Sequence, residues 1–343
     1  MPGKLPIRLL QRAFFFDIGS GIRVILPPMV GEDAGVVDVS ESEILAAHSD
    51  PITAAHTRIG WLSIHVAAND IASSGVKPLW FLATIILPES TEDERIIEIA
   101  SDMRRALSEI GGSLIGGHTE YSDAVTRPLI SITALGIGSR ESITPTSAAM
   151  PGDLVIMTKR AAMEATSIAA YDLEKFLIER GFSRMELEEA KKLIEKISVV
   201  PEAIALSSEK LAHAMHDATE GGIAAAAFEL SYASGWAVEI DRNQIPIFSL
   251  TEKILGALGA DPLFSLSSGT LLAAVPKSRI NDALSKLSSI GVEASIIGKV
   301  TERRERKLYI KRGEVAEKIV EELPQDNFIE RLEEIERGSQ GRR

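Results

Sequence analysis

The sequence predicts a mixed α/β protein, more specifically an α+β chain of two domains of similar size. Its 343 residues exceed the usual size of a single hydrophobic core. Apolar runs of strand length alternate with segments of helical periodicity along the whole chain. The segment Thr144–Gly152 contains two prolines and a Ser-Ala-Ala stretch, a composition typical of a linker. We therefore predict domains at residues 1–143 and 150–323, followed by a charged tail at 324–343.

The first domain is predicted to be rich in strands. Its predicted elements are strands at 36–37 and 44–47, a helix at 60–74, a strand at 79–87, a helix at 92–110, a short run at 113–115 and a strand at 129–137. Gly75 and Pro78 end the first helix, and Thr91 and Glu94 have the spacing of a capping box for the second. The short run is expected to lead into a turn at Gly116–Gly117.

The second domain is predicted to be richer in helices. Its predicted elements are a strand at 154–158, helices at 160–180, 184–197 and 201–214, a helix that opens at the His216–Gly222 cluster and ends near residue 234, and a strand at 236–240. Ser183 and Glu186 form a second capping-box pattern. Alternating strands and helices are expected up to residue 323, and the tail beyond is expected to be frayed.

Composition excludes several functional classes. A formal charge of -12 and a pI near 5.1 argue against a surface that binds nucleic acid or anionic membrane. The chain has no cysteine, which excludes disulfides, thiolate metal sites, iron-sulfur clusters and cysteine nucleophiles. No segment has the roughly 20 consecutive apolar residues of a membrane span, and the N-terminus lacks the pattern of a secretory signal. We expect a cytoplasmic protein that acts on small molecules or protein partners.

Five short polar clusters beside apolar runs are the candidate functional segments. Carboxylates where strands meet turns are suitable ligands for a hard cation, and adjacent glycines let backbone amides approach a phosphate. Together the clusters predict a metal-nucleotide site assembled from distant segments. They are Gly31–Ala34, His48–Asp50, Asn69–Asp70, Gly116–Glu120 and His216–Gly222.

Each cluster also has a purely structural interpretation. Asp33 lies in a glycine turn and Asp50 precedes a proline, and acids in such turns are usually solvated. Asp70 differs because it lies in an apolar helical stretch, where an uncompensated carboxylate is costly to bury. A cation or a set of hydrogen bonds is therefore expected at Asp70.

The glycine clusters are less specific. Gly116–Gly117 could form a simple chain reversal or a short phosphate loop, and Thr219 could cap a helix whose N-terminal amides would equally suit an anion. Three histidines, His48, His118 and His216, permit a zinc site, but no local histidine pair supports it and the acids favour magnesium. The chain has no GxxxxGK[ST] loop and no GxGxxG after a strand.

The order of the clusters resembles the ATP-binding superfamily of aminoimidazole ribonucleotide (AIR) synthetase, HypE, thiamine-monophosphate kinase and selenophosphate synthetase. Each motif is weak alone, but their joint order is specific and covers most of the chain. The matching segments are GEDAGVV at 31–37, HSDPIT at 48–53, NDIASSGVKPL at 69–79, GGHTE at 116–120 and HDATEGGIAAAAFEL at 216–230.

The resemblance implies a two-domain PurM-like fold. The N-terminal α/β domain would pair with a second copy in a homodimeric β-barrel, and the C-terminal α/β domain would cover a cleft that binds ATP with Mg²⁺. The implied metal ligands are Asp33, Asp50 and Asp70. The implied phosphate or nucleotide contacts are Lys4, Asn69, Gly116, Gly117, His118 and Thr119. We assign Asp217 to the polarisation of the acceptor, with His118 or His216 as the proton carrier.

The sequence departs from each named member of the superfamily. The HDATEGG segment is similar to the HypE branch, but HypE uses a C-terminal cysteine and this chain ends in GSQGRR. We therefore predict an ATP-dependent enzyme that activates a carbonyl or amide oxygen by phosphoryl transfer, with the acceptor on a small molecule or a partner protein. The alternative is a nucleotide-binding regulatory or scaffold protein that has lost turnover.

Overall fold

The computed structural model describes residues 6–13 and 23–340, and its N-terminal half is built on a six-stranded sheet. The spatial order of the strands is β1-β2-β3-β6-β4-β5, and neighbours are antiparallel except β4 and β5. The strands are β1 (Val24–Leu26), β2 (Gly35–Asp38), β3 (Glu43–Ile52), β4 (Pro78–Leu87), β5 (Ser113–Tyr121) and β6 (Leu129–Ser139).

A seven-stranded sheet organises the C-terminal half. Its order is β13-β12-β9-β11-β7-β10-β8, with β9 and β12 as the parallel pair. The strands are β7 (Leu154–Thr158), β8 (Ala214–Ala218), β9 (Val238–Asp241), β10 (Thr270–Val275), β11 (Ala294–Val300), β12 (Leu308–Arg312) and β13 (Val315–Val320). Along β7, Val155 and Met157 face one hydrophobic core and Ile156 faces the other, so both faces of this sheet are covered.

The described residues form eleven α-helices. They are α1 (Ile7–Ala13), α2 (Ile59–Ser73), α3 (Asp93–Ile110), α4 (Met163–Asp172), α5 (Glu174–Glu179), α6 (Arg184–Lys191), α7 (Val200–Ser208), α8 (Gly222–Ser234), α9 (Ser249–Leu258), α10 (Ile280–Ser289) and α11 (Asn327–Gln340). Helix α3 provides the crossover between the parallel strands β4 and β5, as a parallel pair requires.

Helix α2 joins the two halves, and all fifteen of its residues are buried. A helix that is apolar on every side needs neighbours on every side. It packs on the first sheet and on α3, while its far side hydrogen-bonds to the second half. The indole Nε1 of Trp61 donates to the carbonyl of Ile194 at 2.9 Å. The amide of Asn69 donates to the carbonyl of Ile197 and accepts from the amide of Val199, both at 2.8 Å.

The segment between the two sheets is held by specific hydrogen bonds. The backbone amides of Thr146 and Ser147 donate to the carboxylate of Glu32, both at 2.9 Å. The hydroxyl of Thr146 donates to the carbonyl of Met215 in β8 at 3.0 Å. The loop that precedes β2 is thereby fixed next to β8, which positions the neighbouring residue Asp33.

Gly116 and Gly117 lie within the continuous strand β5, so the predicted turn is wrong. A glycine pair usually indicates a turn. Here a Cβ on Gly117 would stand 2.0 Å from the carbonyl oxygen of Ala83, and its φ is +148°. The glycine is required because β4 approaches closely, a tertiary contact with no local sequence signal.

The helix predicted to open at the His216–Gly222 cluster and to end near residue 234 is observed as α8, but His216 and Asp217 lie in strand β8 before it. The predicted helix at 201–214 ends earlier, at Ser208, and α8 begins at Gly222. Strand β8 is only five residues long and buried throughout, so it has neither strand alternation nor helical periodicity.

Two smaller predictions about helix ends have different outcomes. The capping box at Ser183 and Glu186 is confirmed. The one predicted from Thr91 is wrong, because α3 has Glu92 at its N-cap and the hydroxyl of Thr91 donates to the carbonyl of Pro88 instead.

The C-terminal tail is not frayed over the described residues. Residues 327–340 form α11, and Phe328, Ile329 and Leu332 are buried in the main core. Its high charge belongs to the outer face of an amphipathic helix, which the sequence analysis did not recognise.

Replacement of Asn69 by alanine tests the junction between the two halves. Asn69→Ala leaves the amide of Val199 and the carbonyl of Ile197 without their buried partner, so we expect the protein to lose about 2–4 kcal/mol of stability. Thermal and urea unfolding measure the loss. The control is Ser101→Ala on the exposed face of α3, which should unfold like the native chain. Equal stability of both variants would show that the junction does not depend on this amide.

Candidate functional site

Three carboxylates from distant parts of the chain converge at the junction between the two sheets. Asp33 lies in the loop before β2, Asp70 lies near the end of α2, and Asp217 lies in β8. One carboxylate oxygen from each lies within 4.8 Å of the others. The side chain of Asp33 is 7% exposed, and residues Asp70 and Asp217 are 7% and 2% exposed. We call these three residues the carboxylate cluster.

The carboxylate cluster fits a hard divalent cation. Three like charges at this separation repel one another, and burial strengthens the repulsion. Oxygen ligands are those that Mg²⁺ prefers. Within the described part of the chain, the Oδ2 atom of Asp33 is buried and accepts no hydrogen bond, so this oxygen is available to a metal ion. The donor set and this unsatisfied oxygen both suit Mg²⁺ better than zinc.

A buried histidine orients Asp33. The Nδ1 atom of His216 forms an ion pair with Oδ1 of Asp33, and its Nε2 atom lies 3.1 Å from Oε2 of Glu229 in α8. Burial alone would lower the pKa of His216, but the two carboxylates outweigh burial and raise its pKa well above the usual value. The imidazolium therefore fixes Oδ1 of Asp33, while Oδ2 has no hydrogen bond among the described residues. On the other side, Nε2 of His48 lies 3.5 Å from Oδ2 of Asp70.

Glu229 was missed by the sequence analysis. It is the single charged residue in α8, an otherwise apolar and small-residue helix, and it is 5% exposed. An isolated acid in a buried helix is the same signal that singled out Asp70.

Asp50 lies outside the carboxylate cluster. It borders a small neighbouring cavity of about 20 Å³ between β3 and the second half, together with Glu164, Thr219 and Ser268. Glu164 is fully buried and accepts a hydrogen bond from the backbone amide of Ser268 at 3.0 Å. Burial, with a smaller contribution from the nearby Glu220, raises the pKa of Glu164 to about 8 against the lowering effect of that hydrogen bond. This carboxyl is therefore protonated at neutral pH, and the sequence analysis did not anticipate it.

The N-terminus of α8 carries an internal carboxylate. The amide of Gly221 donates to Oδ2 of Asp326 at 2.7 Å, and the other oxygen of Asp326 accepts from the amide of Ile329 at 2.9 Å. Burial raises the pKa of Asp326 to about 6. Thr219 does not cap this helix with its side chain. The anion position expected at the Gly221 amide is thus filled by the segment that leads into α11.

The remaining predicted residues that the structure describes are not members of the carboxylate cluster. Gly116, Gly117, His118 and Thr119 lie on β5, the exposed edge strand of the first sheet. His118 pairs with Glu120 on the same strand at 3.1 Å, and both side chains are more than half exposed. Asn69 is buried beside Asp70, but its amide bonds to backbone groups of the second half. Lys4 lies outside the described residues.

The chain belongs to the AIR synthase related family. It matches the N-terminal domain of AIR synthase related proteins over residues 31–138 and the C-terminal domain over residues 150–311. It is similar to a protein of Methanocaldococcus jannaschii whose name refers to hydrogenase expression or formation, with 29% identity over 79% of each chain. It is also similar to the carbamoyl dehydratase HypE of Cupriavidus necator, with 26% identity over 71% of this chain and 68% of the relative.

Solved structures share the fold. HypE in the HypE–HypF complex superposes with a TM-score of 0.72 and 22% identity over 91% of this chain and 99% of that chain. A thiamine-monophosphate kinase structure, AaThiL with AMPPCP and TMP, gives a TM-score of 0.71 and 20% identity over 93% and 95%. HypE in complex with ATP gives 0.68 and 20% over 95% and 97%. The predicted fold class, with two mixed α/β domains of the AIR synthase type, is confirmed.

Within residues 6–13 and 23–340, no helix combines the length and the apolar character that crossing a bilayer requires.

Substitution of Glu164 tests its buried, protonated state. In the folded chain the pKa of Glu164 is about 8, above the unfolded value near 4.5. Between these pH values the folded state therefore holds a proton on Glu164 that the unfolded state has lost. Stability from this group is therefore present below about pH 4.5 and falls as the pH rises toward 8. We expect Glu164→Gln to remove this dependence. At pH 8 the variant should be more stable than the native chain by a few kcal/mol at most, because each pH unit between the two pKa values costs the native chain on the order of 1.4 kcal/mol.

Unfolding curves between pH 5 and pH 8.5 measure this difference. Glu94→Gln on the exposed side of α3 is the control and should keep the native pH profile. Parallel profiles for Glu164→Gln and the native chain would contradict the buried neutral carboxyl.

Proposed function

We propose that this protein is a Mg-ATP-dependent enzyme that activates a carbonyl or amide oxygen by phosphoryl transfer. The acceptor would be carried by a small-molecule substrate or by a partner protein. The carboxylate cluster carries the proposal, because three buried acids at an interdomain junction are poorly explained by structure alone. Two neighbours in fold are described as complexes with ATP and with AMPPCP, which supports a nucleotide at this junction.

In the proposed site, Asp33, Asp70 and Asp217 would hold Mg²⁺, and Asp50 would approach the cleft from β3. A bound magnesium ion neutralises phosphate charge and orients the transferred group. His216 and Glu229 position Asp33 through the ion pair and the hydrogen bond described above. Because both ring nitrogens of His216 are engaged with carboxylates, we propose a positioning role for it in place of the predicted role as proton carrier.

The acceptor distinguishes this chain from its relatives. The similar HypE proteins are named carbamoyl dehydratases. This chain contains no cysteine, so a thiol acceptor would have to come from another molecule. Phosphorylation of a carbonyl oxygen creates a leaving group, and a nucleophile supplied by the substrate or partner could then displace phosphate.

A cytoplasmic location stays a prediction.

The absence of cysteine also favours one alternative. A protein that kept the nucleotide cleft and lost turnover would act as a regulatory or scaffold protein. Such a protein would still bind Mg²⁺ and ATP, since the carboxylate cluster is intact. Metal binding without hydrolysis would therefore identify this alternative.

A homodimer is also proposed, and the first sheet supports it. Among the described residues, no strand pairs with the outer side of edge strand β5, and residues of β5 are exposed along the whole strand. Large apolar side chains on β4 and β5 are exposed to between 36% and 56%, which is unusual for a sheet that stays uncovered. These residues are Leu82, Leu114, Ile115 and Tyr121. Pairing with a second copy would cover them.

Replacement of Asp70 tests the enzymatic proposal. Asp70→Asn removes one charge from the cluster while it keeps the shape of the side chain. We expect magnesium-dependent ATP hydrolysis to fall by about a hundredfold or more, and Mn²⁺ binding followed by electron paramagnetic resonance to weaken. The metal-free variant should be as stable as the native chain or more stable, because a buried repulsion is relieved.

The exposed Asp123→Asn variant is the matched control. Equal background hydrolysis in the native chain and in Asp70→Asn would rule out the enzyme. Native Mn²⁺ binding without any hydrolysis would instead support the regulatory protein.

Replacement of Ile115 tests the dimer. Ile115→Asp places a charge on the exposed apolar surface of β5, so we expect the native dimer mass in light scattering to change to the monomer mass at micromolar concentration. Ile97→Asp on α3 is the control, because Ile97 is 67% exposed on a helix away from this strand. A monomer mass for the native chain would contradict the dimer.

A further inference from the structure

A second pocket, beside the small cavity of Asp50, includes the basic residues His56, Arg95 and Arg127 in its lining. Its volume is about 460 Å³, and its walls are formed by residues 55–59, 88–95 and 126–128. Ala55 borders both this pocket and the small cavity of Asp50 and Glu164, so the two are neighbours. We infer that this pocket, which we call the Arg127 pocket, binds an anionic group of the substrate, a carboxylate or a phosphate. The inference names the substrate class and rests on the proposed function for its catalytic meaning.

The basic groups are already oriented for a ligand. Arg127 donates from Nη2 to the carbonyl of Thr53, and its Nη1 atom lies 2.9 Å from Nε2 of His56. Arg95 donates from Nη2 to the carbonyl of His56. Hydrogen bonds to backbone fix the plane of each guanidinium, and a planar guanidinium binds carboxylate or phosphate through two parallel hydrogen bonds.

The loop that carries His56 is held from the other domain. The carboxylate of Asp172, at the end of α4, accepts hydrogen bonds from the backbone amide of His56 at 2.9 Å and from the hydroxyl of Thr57 at 2.6 Å. Binding therefore does not have to order this loop, which lowers the cost of ligand capture.

The charges that face the pocket indicate one anionic group and not a polyphosphate. Arg95 is already paired with Glu98 at 2.6 Å, and Glu92 also lines the pocket. Within the described part of the chain Arg127 forms no ion pair with a carboxylate, so its charge is the one left for a ligand. A triphosphate would be repelled by Glu92 and Glu98, and it belongs at the carboxylate cluster with Mg²⁺.

An internal carboxylate marks the position of the ligand. Oε1 of Glu336, in α11, lies 3.0 Å from Nε2 of His56, the same nitrogen that Arg127 approaches. The chain thus places one of its own carboxylates within ion-pair distance of His56, a residue that lines the pocket. A substrate anion would replace Glu336 there, and the contact would compete with binding.

Binding of small anions to the full-length chain tests the inference without metal or nucleotide. The probes are inorganic phosphate and glutarate, titrated by calorimetry into EDTA-treated protein. We expect Arg127→Gln to weaken binding at least tenfold. Arg127→Lys should weaken it less, because lysine keeps the charge but cannot form the two parallel hydrogen bonds of a guanidinium. Glu336→Gln should strengthen binding about tenfold, since the internal competitor is gone. Tighter binding of one probe identifies the group as phosphate or carboxylate.

Arg304→Gln, an exposed arginine on the C-terminal half, is the matched control and should bind as the native chain does. The inference is overturned if Arg127→Gln, folded as judged by circular dichroism, binds both probes with native affinity. It is also overturned if Glu336→Gln gains no affinity for either probe. Asp70→Asn should bind the probes normally, so failure of the Arg127 pocket and failure of the proposed ATP chemistry give different results.

Discussion

The complete burial of helix α2 is the constraint on which the rest of the structure depends. A helix that is buried along its whole length needs neighbours on every side, so the first sheet and the second half enclose it together. Its polar residues then have to be satisfied inside the protein. Asn69 meets this need with backbone groups of the second half, and Asp70 meets the acids that other segments bring to the same place.

The electrostatics of the junction follow from that packing. Asp33 and Asp217 approach Asp70 because Glu32 fixes the first loop to the interdomain segment and because β8 lies directly under α2. Buried like charges are unfavourable, and the protein offsets part of the repulsion with the imidazolium of His216 between Asp33 and Glu229. A divalent cation would neutralise the remaining repulsion between the carboxylates. The Arg127 pocket shares Ala55 with the small cavity of Asp50 and Glu164 and contains no residue of the carboxylate cluster, so the metal position and the proposed anion position are formed by different residues.

Much of the fold was predictable because most elements carry a local signal. Helix α2, strand β4 and helix α3 were recognised from periodicity and from Gly and Pro at their ends, with boundaries close to those observed. Strand β8 was not recognised, since five buried residues show no period. Gly117 was assigned to a turn because its true cause, the carbonyl of Ala83, is remote in sequence. The many charged residues of α11 predict a frayed tail, because the apolar stripe between them is narrow.

The sequence by itself determined the residue types of the site: carboxylates beside apolar runs, no cysteine, and an order of motifs shared with the AIR synthase related family. Only the tertiary structure decided which carboxylates meet. It joined Asp217 to Asp33 and Asp70, placed Asp50 in the adjoining cavity, and left His118 on an exposed edge strand. The physical reason is that local sequence fixes the period and ends of each element, whereas the approach of side chains from distant elements depends on how a shared core packs around α2.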